Sequence, residues 1–493
     1  MTPGIVLGPP GTGKTEHLLT VVEELLASGM EPEEICLVTF TRRAAEEAVT
    51  RAAEKFSVPV SRFLWFRTLH SLCFRVLGLS RGGVLTGKAL REFADWTGIE
   101  ISKRRAMDED WLGAAEGDRI MHLDHLARVT GRPLRDVYDS DPDQDLQWSE
   151  VRRVAADLVA FKRARGLLDF TDMLQDLVIG PPPRLGVRAL LVDEAQDLSV
   201  LQWEVVNRIA ASNKLERFVV VGDDDQCIHE WAGASLQRFL MLEGNVRNLQ
   251  QSWRVPQKVQ ELALGIIGQV TARRPKHWSP RSSEGSVVRV VRVEEAELTG
   301  ETMVLARNHW WLERDVVPAL RDQGVYYSLN GAPSVSGETL AALRGWERLR
   351  RGETVSRDVA QLLQRWLPGE NRGRDLQRDE LEVSALSWGI LTDRPWHEAL
   401  TSMPADEMSY VLAMRTRGEK LNEAPKVRLS TIHGSKGGQA DHVVLLTDVA
   451  GRSAREQERD PDGERRVWYV GVTRAREKLT IVDRMDAPRS FSL

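Results

Sequence analysis

Residues 8–15 read Gly-Pro-Pro-Gly-Thr-Gly-Lys-Thr, a G-x-x-x-x-G-K-[ST] pattern with Gly8, Gly13, Lys14 and Thr15 in its fixed places. An apolar run, Ile5-Val6-Leu7, precedes it, and Leu18, Leu19, Val22, Leu25 and Leu26 recur behind it at helical spacing. Strand, loop and helix are therefore predicted in the order a phosphate-binding loop requires. Glycines let the backbone N–H groups of Gly8, Gly11, Thr12 and Gly13 wrap an anion at a helix N-terminus; Pro9 and Pro10 carry no N–H and shape the turn. Lys14 can then reach β- and γ-phosphates, and the Thr15 hydroxyl can ligate Mg²⁺. The fold this predicts is α/β, and the ligand is a nucleoside triphosphate with Mg²⁺.

Moving outward, Ile35–Phe40 is a short β-branched run of the kind found in buried parallel strands, followed by a helix over Arg42–Phe56. Residues 81–182 turn helical in pattern, with an acidic stretch at Asp139–Asp145, until Pro181-Pro182-Pro183, which no helix crosses. Strands resume at Ala189–Val192 and Phe218–Val221, so the helical block reads as an insertion into one α/β domain. A second α/β pattern carries strands at Val287–Val293, Thr302–Leu305, Val427–Ser430, Val443–Leu446 and Leu479–Val482, interrupted by a polar, Arg-rich helical block at 338–424.

A phosphate loop needs a metal-holding carboxylate at the end of another strand. Leu190-Leu191-Val192-Asp193-Glu194-Ala195-Gln196-Asp197 supplies it: Asp193 for Mg²⁺, Glu194 to orient and deprotonate the attacking water. Another strand ends in Gly222-Asp223-Asp224-Asp225-Gln226, where Gln226 can hydrogen-bond a phosphoryl oxygen or the water. Two arginines farther on, Arg254 in Gln251-Ser252-Trp253-Arg254 and Arg474 in Val472-Thr473-Arg474, are candidates for spreading positive charge over the transferred phosphoryl group.

Together these segments resemble the superfamily 1 DNA helicases of the UvrD/Rep/PcrA group. The motifs stand in that family's order: GPPGTGKT at 8–15, VTFTRRAAEEA at 38–48, FRTLHSLCFRVL at 66–77, LLDFTDML at 167–174, LLVDEAQDLS at 190–199, VVGDDDQCIHEWAGA at 220–234, LQQSWR at 249–254, VRLSTIHGSKGGQAD at 427–441 and ERRVWYVGVTRAREKL at 464–479. The resemblance implies two RecA-like domains with parallel sheets flanked by helices, each with a mainly helical insertion. Its boundaries are 1–80 with 183–248 and 249–337 with 425–493 for the RecA-like domains, and 81–182 and a reduced 338–424 for the insertions. It further implies ATP hydrolysis coupled to 3′→5′ movement on single-stranded DNA and to unwinding, in repair, recombination or replication. Expected partners are single strands, single-to-double-strand junctions and a loading, replication or repair protein, with no membrane, in a monomer or weak oligomer of the bacterial cytosol or a phage-infected host. Strand contacts are implied at Thr39, Phe40, Thr41, His70, His229, Trp231, Thr431 and His433, with Phe40 and Trp231 stacking on bases or, on the plainer reading, packing at strand ends. Trp253 is implied against the adenine and Gln439 near the ribose.

The chain departs from the family pattern in several places. Only seven residues precede Gly8, so the upstream Gln segment that reads adenine is not expected, which leaves other nucleoside triphosphates open. Glu16, Gln439, His229 and Ala232 stand where relatives carry Arg, Glu, Tyr and Arg. Two other readings stay open: a nucleotide-gated DNA-binding or loading module with weak turnover, and an RNA-directed helicase of the same superfamily; a P-loop kinase is a remoter third.

Composition sets the remaining bounds. At 42% hydrophobic and 28% charged residues the chain is an ordinary globular one, and no apolar run approaches the ~20 residues of a membrane span. No basic-then-apolar leader is expected at its start. Cys36, Cys73 and Cys227 are too scattered for a disulfide framework, and His122, His125, His277 and His309 lack ligand spacing for zinc. A net charge of −5 means any nucleic-acid surface must be local. Arg344–Arg351 reads as a solvated helix face, and Arg273-Arg274-Pro275-Lys276 equally as a phosphate contact or as packing. No nuclease-like cluster follows residue 480, so a fused nuclease is not expected.

Overall fold

The computed structural model describes residues 2–39, 41–102, 115–141, 145–377, 380–484 and 489–493. They form two compact units: Met1–Ser286 with Gly451–Glu477 and Leu493, and Val287–Ala450 with Lys478–Ser492.

The first unit is built on a six-stranded sheet. Its strands are β1 (Gly4–Leu7), β2 (Ile35–Thr39), β3 (Trp65–Thr68), β4 (Ala189–Val192), β5 (Arg217–Gly222) and β6 (Asn245–Asn248), in the order β3-β2-β4-β5-β1-β6. Every pairing is parallel. Parallel sheets need cover on both faces, and β2 and β4 are buried at every position. Alternate residues serve opposite faces. Ile5, Leu7, Cys36, Val38, Leu190 and Val192 pack on one side with Leu72, Trp203 and Val206, while Val6, Ile35, Leu37, Leu191 and Val219 pack on the other with Leu18, Val22 and Ala52. The helix Arg42–Phe56 starts where Thr41 Oγ1 accepts from the Ala44 N–H.

Between β3 and β4 the chain is helical. Helices Gly87–Thr97, Glu116–Thr130 and Trp148–Arg165 close over a core of their own, with Phe93, Ile120, Leu123, Val154 and Phe161. The next helix, Phe170–Ile179, ends before the proline run and returns Met173, Leu174 and Leu177 to the sheet. Its N-cap, Asp169, accepts from the Asp172 N–H and also takes Arg128 Nη1 at 2.7 Å, while Lys162 pairs with Asp169 and with Asp172 at 2.6 Å. Lys162 is 5% exposed, so this network is desolvated, and removing one partner costs about 3–5 kcal/mol.

The second unit holds most of strand β7 (Ser286–Val290), all of β8 (Thr302–Ala306), β9 (Tyr327–Leu329), β10 (Ala332–Pro333), β11 (Val355–Ser356), β12 (Glu382–Val383), β13 (Val427–Thr431) and β14 (Ala440–Leu446), and most of β15 (Ala475–Val482). A seven-stranded sheet runs β10-β9-β13-β8-β14-β15-β7, with β9–β13, β13–β8 and β8–β14 parallel and β10 antiparallel; β11 and β12 pair separately. Helices Gly337–Arg350, Arg357–Trp366 and Ala405–Arg417 lie in the 338–424 stretch and share one core with the sheet through Trp346, Leu363, Trp388, Tyr410, Val427 and Val444. Both units are thus α/β with mainly parallel, helix-flanked sheets and a mainly helical insertion, as the alternation of patterns predicts. No helix among the described residues is long and apolar enough to cross a membrane.

Candidate nucleotide site

Strand order gathers the chemistry. β4, β5, β1 and β6 are neighbours in a parallel sheet, so their carboxyl ends open on one edge. From that edge leave the segments 193–199, 223–226, 8–13 and 249–254, the place where open α/β sheets bind ligands.

The 8–13 loop is pinned on two sides. Gly8 N donates to Gly222 O at 3.0 Å, and Thr12 Oγ1 donates to Pro9 O at 2.8 Å. Ser252 Oγ donates to Pro10 O at 2.7 Å, and Trp253 N donates to Gly11 O at 2.8 Å. Gly11 has φ +73°, and a Cβ there would lie 2.3 Å from the Arg254 Cβ, so the loop and the 252–254 turn are in close contact. Lys14 Nζ donates to Gly8 O at 3.1 Å and lies 3.6 Å from Glu194 Oε1; Thr15 follows on the first turn of the helix Lys14–Ala27. Trp253 is 74% exposed beside this loop. Glu16 pairs outward with Arg51 and with Lys55 at 3.6 Å.

Asp193 and Glu194 sit at the end of β4. The Asp193 carboxyl is buried, and burial together with the Glu194 charge holds its pKa above the usual carboxylate range, with Lys14 opposing. Glu194 adopts φ +47°, a left-handed conformation that an L-residue keeps only where its surroundings enforce it. Its Oε2 accepts from Gln196 Nε2 at 2.7 Å, and Gln196 Oε1 in turn accepts from Asp223 N at 2.9 Å. Gln226 Nε2 donates to Asp223 Oδ2 at 2.6 Å, and Arg474 Nη2 donates to Gln226 Oε1 at 3.1 Å. Arg474 Nε is also fixed on Val470 O at 2.9 Å.

Both arginines belong to the same compact unit as Lys14. Burial pushes the Arg474 pKa down to about 9, reinforced by Arg254, with Glu194 opposing. Burial pushes Arg254 down to about 10, with Glu194 opposing and Arg476 reinforcing. Two desolvated guanidiniums that repel each other make a site whose strain an incoming anion relieves.

The donor set fits a nucleotide with Mg²⁺. A Cβ on Gly8 would lie 2.2 Å from the Lys14 Cγ, so the Lys14 side chain runs close over the bare loop backbone there. Thr15 and Asp193 are hard oxygen donors, and Mg²⁺ takes few protein ligands because phosphates and water complete its shell. No group of three or more His, Cys, Asp or Glu among the described residues is arranged to hold a metal unaided.

The other expected residues are spread over the fold. Gln439 is exposed in the second unit, its carbonyl accepting from Arg428 Nη2 at 2.8 Å. Thr39 is buried and donates to Thr41 O at 3.0 Å, and Thr41 is exposed; Phe40 lies outside the described residues. His70 lies edge-on to Phe170 at 5.6 Å between ring centroids. Trp231 stacks on His122 at 6.2 Å and 29° and has His229 at 6.4 Å. Thr431 and His433 are buried in the second unit, where Thr431 Oγ1 caps the Gly434 N–H at 3.1 Å. The 273–276 run is packing: Lys276 is buried among Asp223, Asp224 and Asp225, and Arg273 is paired with Asp225. Sequence reasoning assigned no role to Ser252 or Gln196, although both lie inside quoted motifs; Lys276 had only its basic neighbours as a signal.

A family model described as the UvrD/REP helicase N-terminal domain matches residues 1–247, and one described as the UvrD-like helicase C-terminal domain matches 426–482. The ATP-dependent DNA helicase PcrA of Leuconostoc citreum is 28% identical over 309 residues, 59% of this chain and 40% of that protein. PcrA of Bacillus subtilis (strain 168) is 25% identical over 69% of this chain and 47% of its own length. The ATP-dependent DNA helicase Rep of Escherichia coli (strain K12) is 22% identical over 97% of this chain and 88% of its own. The chain spans less than half the length of the two PcrA relatives.

Proposed function

The chain belongs to the UvrD/REP helicase family, and from that premise we propose that it is an Mg-ATP-driven motor that moves 3′→5′ on single-stranded DNA and displaces the complementary strand. The observation that carries the reading is the hydrogen-bonded link from Arg474 to Gln226, set beside Arg254, Glu194 and the phosphate loop in one compact unit. A nucleotide-binding scaffold alone has no use for two buried guanidiniums next to a carboxylate pair; phosphoryl transfer has.

In this reading the loop 8–13 binds the phosphates through the N–H groups of Gly11 and Gly13, since Gly8 N is on Gly222 O and Thr12 N on Pro9 O, and Lys14 leaves Gly8 O and Glu194 to meet the β/γ oxygens. Mg²⁺, when bound, neutralises charge on those oxygens, and Thr15 and Asp193 hold it. Glu194 takes a proton from the attacking water, Gln226 orients that water, and Arg254 and Arg474 stabilise the equatorial oxygens. Trp253 supplies an apolar face for the adenine. Thr39, Phe40, Thr41, His70, His229 and Trp231 in the first unit, and Thr431 and His433 in the second, contact the strand. Alternating grip by two sets of contacts converts each hydrolysis cycle into movement. Repair, recombination or replication intermediates with single-stranded tracts are the proposed substrates.

The test is steady-state ATP hydrolysis with and without a single-stranded oligonucleotide, beside Lys14→Ala. Strong DNA stimulation that the variant loses supports the motor, and duplexes with 3′ or 5′ tails then read direction. Hydrolysis indifferent to DNA, or stimulated by RNA alone, overturns it.

A further inference from the structure

Gln226 is held from both ends. Its amide nitrogen donates to Asp223 Oδ2 at 2.6 Å, and its oxygen accepts from Arg474 Nη2 at 3.1 Å. A carboxylate only accepts and a guanidinium only donates, so the two partners dictate which end of the amide faces which. The other oxygen of Asp223 is engaged as well: Lys276 Nζ lies 3.1 Å from Oδ1. Lys276 also reaches Asp224 Oδ1 at 2.5 Å and Asp225 Oδ2 at 3.0 Å, and all four side chains are at most 1% exposed. Around them Arg273 Nε donates to Asp225 Oδ1 at 2.8 Å, Arg274 N to Asp224 Oδ2 at 2.8 Å, and Arg466 Nε to Asp224 O at 3.1 Å. Three adjacent carboxylates out of water require such cations, and with them in place the turn at 223–226 has no freedom to rotate.

We propose that Lys276 and Asp223 are positioning residues for hydrolysis: Lys276 orients the Asp223 carboxylate, Asp223 sets the Gln226 amide, and Gln226 holds the Arg474 guanidinium at the nucleotide. This rests on the functional reading above. It goes beyond the phosphate-facing residues by extending the site to a buried lysine on the segment 271–276, outside the phosphate loop and the two strand-end carboxylate clusters. Asp223→Asn isolates the link because it exchanges one oxygen for an NH₂ and leaves the volume nearly unchanged. Lys276 Nζ and the Asp225 N–H both face Oδ1, so the introduced carboxamide keeps its oxygen there and turns its NH₂ toward Gln226. Gln226 must then rotate its own oxygen to meet that NH₂, which leaves its amide nitrogen against the guanidinium, donor facing donor, so Arg474 keeps Val470 O but loses its Gln226 contact.

The experiment is a double-mutant cycle on the full chain, with Asp223→Asn, Gln226→Ala and both together, reading kcat and KM for ATP and equilibrium affinity for a non-hydrolysable ATP analogue. Asp223→Asn is expected to lower kcat by about 100-fold, as misplacement of a catalytic group does. Affinity should stay within about threefold, since the binding contacts are elsewhere, and in the Gln226→Ala background the same substitution should cost no further kcat. If Asp223→Asn does not fold, Lys276→Arg keeps the charge but not the three-way geometry and should show the same kcat loss, again absent in Gln226→Ala. Losses that multiply in the double variant, or that fall on affinity and kcat alike, overturn the positioning role while leaving the functional reading intact. A wild-type chain that hydrolyses no ATP overturns both.

Discussion

Arg474 reaches across 248 positions of sequence to donate to the Gln226 carboxamide at 3.1 Å, and both groups are buried. A guanidinium so placed is pre-oriented, and on the proposed reading it meets charge that develops on a transferred phosphoryl group. Arg474→Ala is expected to cut kcat by about 10³-fold or more with affinity for an ATP analogue changed far less. Arg474→Lys should recover little, because an ammonium cannot serve Val470 O and Gln226 together. Steady-state kinetics beside analogue binding checks this; near-normal kcat in Arg474→Ala would remove the arginine from the reaction.

Glu194 and Lys14 separate chemistry from binding. Glu194→Gln preserves shape and can still accept from Gln196, so the backbone at φ +47° is retained while the base is lost. A fall of about 10²–10⁴ in kcat with intact nucleotide affinity is expected. Lys14→Ala removes a phosphate ligand and should weaken affinity as well. Single-turnover hydrolysis of pre-bound ATP distinguishes the two, and a Glu194→Gln protein with ordinary turnover would assign the base elsewhere.

The contact of Gly11 with the 252–254 turn is equally open to test. Alanine there meets the Arg254 Cβ at 2.3 Å and adopts a left-handed backbone at φ +73°. Gly11→Ala is expected to cost about 1–3 kcal/mol of stability and to displace Arg254, lowering kcat. Gly29→Ala, also at positive φ (+87°) but with nothing within 4 Å, carries the backbone strain alone. Melting curves of both should therefore differ less than their kcat values; equal kcat would mean the contact does not matter to turnover.

Much of this was legible in the sequence because Asp193, Glu194 and Gln226 follow directly on apolar strands. β1, β2, β4 and β5 announce themselves as continuous hydrophobic runs, and the helix Arg42–Phe56 lies where its pattern places it. β6 was not legible: Asn-Val-Arg-Asn is polar and largely exposed, an edge strand held by backbone pairing to β1 rather than by its side chains. β3 was hidden for a related reason, since its four residues alternate half-buried with buried inside a longer helix-like motif. The clamp on Asp223–Asp225 was illegible because ion pairing between residues some fifty positions apart leaves no periodicity. A run of basic residues looks the same whether it faces a phosphate or three buried carboxylates.

A pH effect follows from two histidines, His122 in the inserted helix Glu116–Thr130 and His70 in the helix Leu69–Val76. Burial pushes His122 down to about 3, helped by His125 and Arg452 and opposed by its hydrogen bond to the Trp231 backbone. Burial likewise pushes His70 down to about 4, with His125 and Arg42 reinforcing and Asp169 opposing. A depressed histidine is neutral in the fold and charges on unfolding, so its contribution is present above about pH 6.5 and is lost as pH falls toward the folded value. Asp193, held up by burial, titrates with the opposite sign. The clean reading is thus a difference: His122→Gln should lose less stability than wild type between pH 7 and 5, by up to about 1.4 kcal/mol per pH unit. Urea unfolding at both pH values measures it, and parallel losses would mean that His122 is not held neutral.

The same histidine bears on the strand contact. Its ring lies at 29° to the Trp231 indole with centroids 6.2 Å apart, which fixes the indole plane before any base arrives. A pre-oriented aromatic face loses little entropy on stacking, and one stacked base is worth roughly 1–3 kcal/mol. Trp231→Ala should therefore raise the dissociation constant for a single-stranded oligonucleotide by about 10–100-fold, since each 1.4 kcal/mol is tenfold. The indole is not among the groups around the phosphate loop, so affinity for an ATP analogue without DNA should stay near wild type. Trp231→Phe keeps a π-face and should recover most of the binding. Fluorescence anisotropy of a labelled oligonucleotide, read beside analogue binding, decides between stacking and packing. Equal losses of DNA and nucleotide affinity, unrelieved by phenylalanine, would make Trp231 a structural residue of the turn that follows Gln226, and the strand would have to be gripped elsewhere.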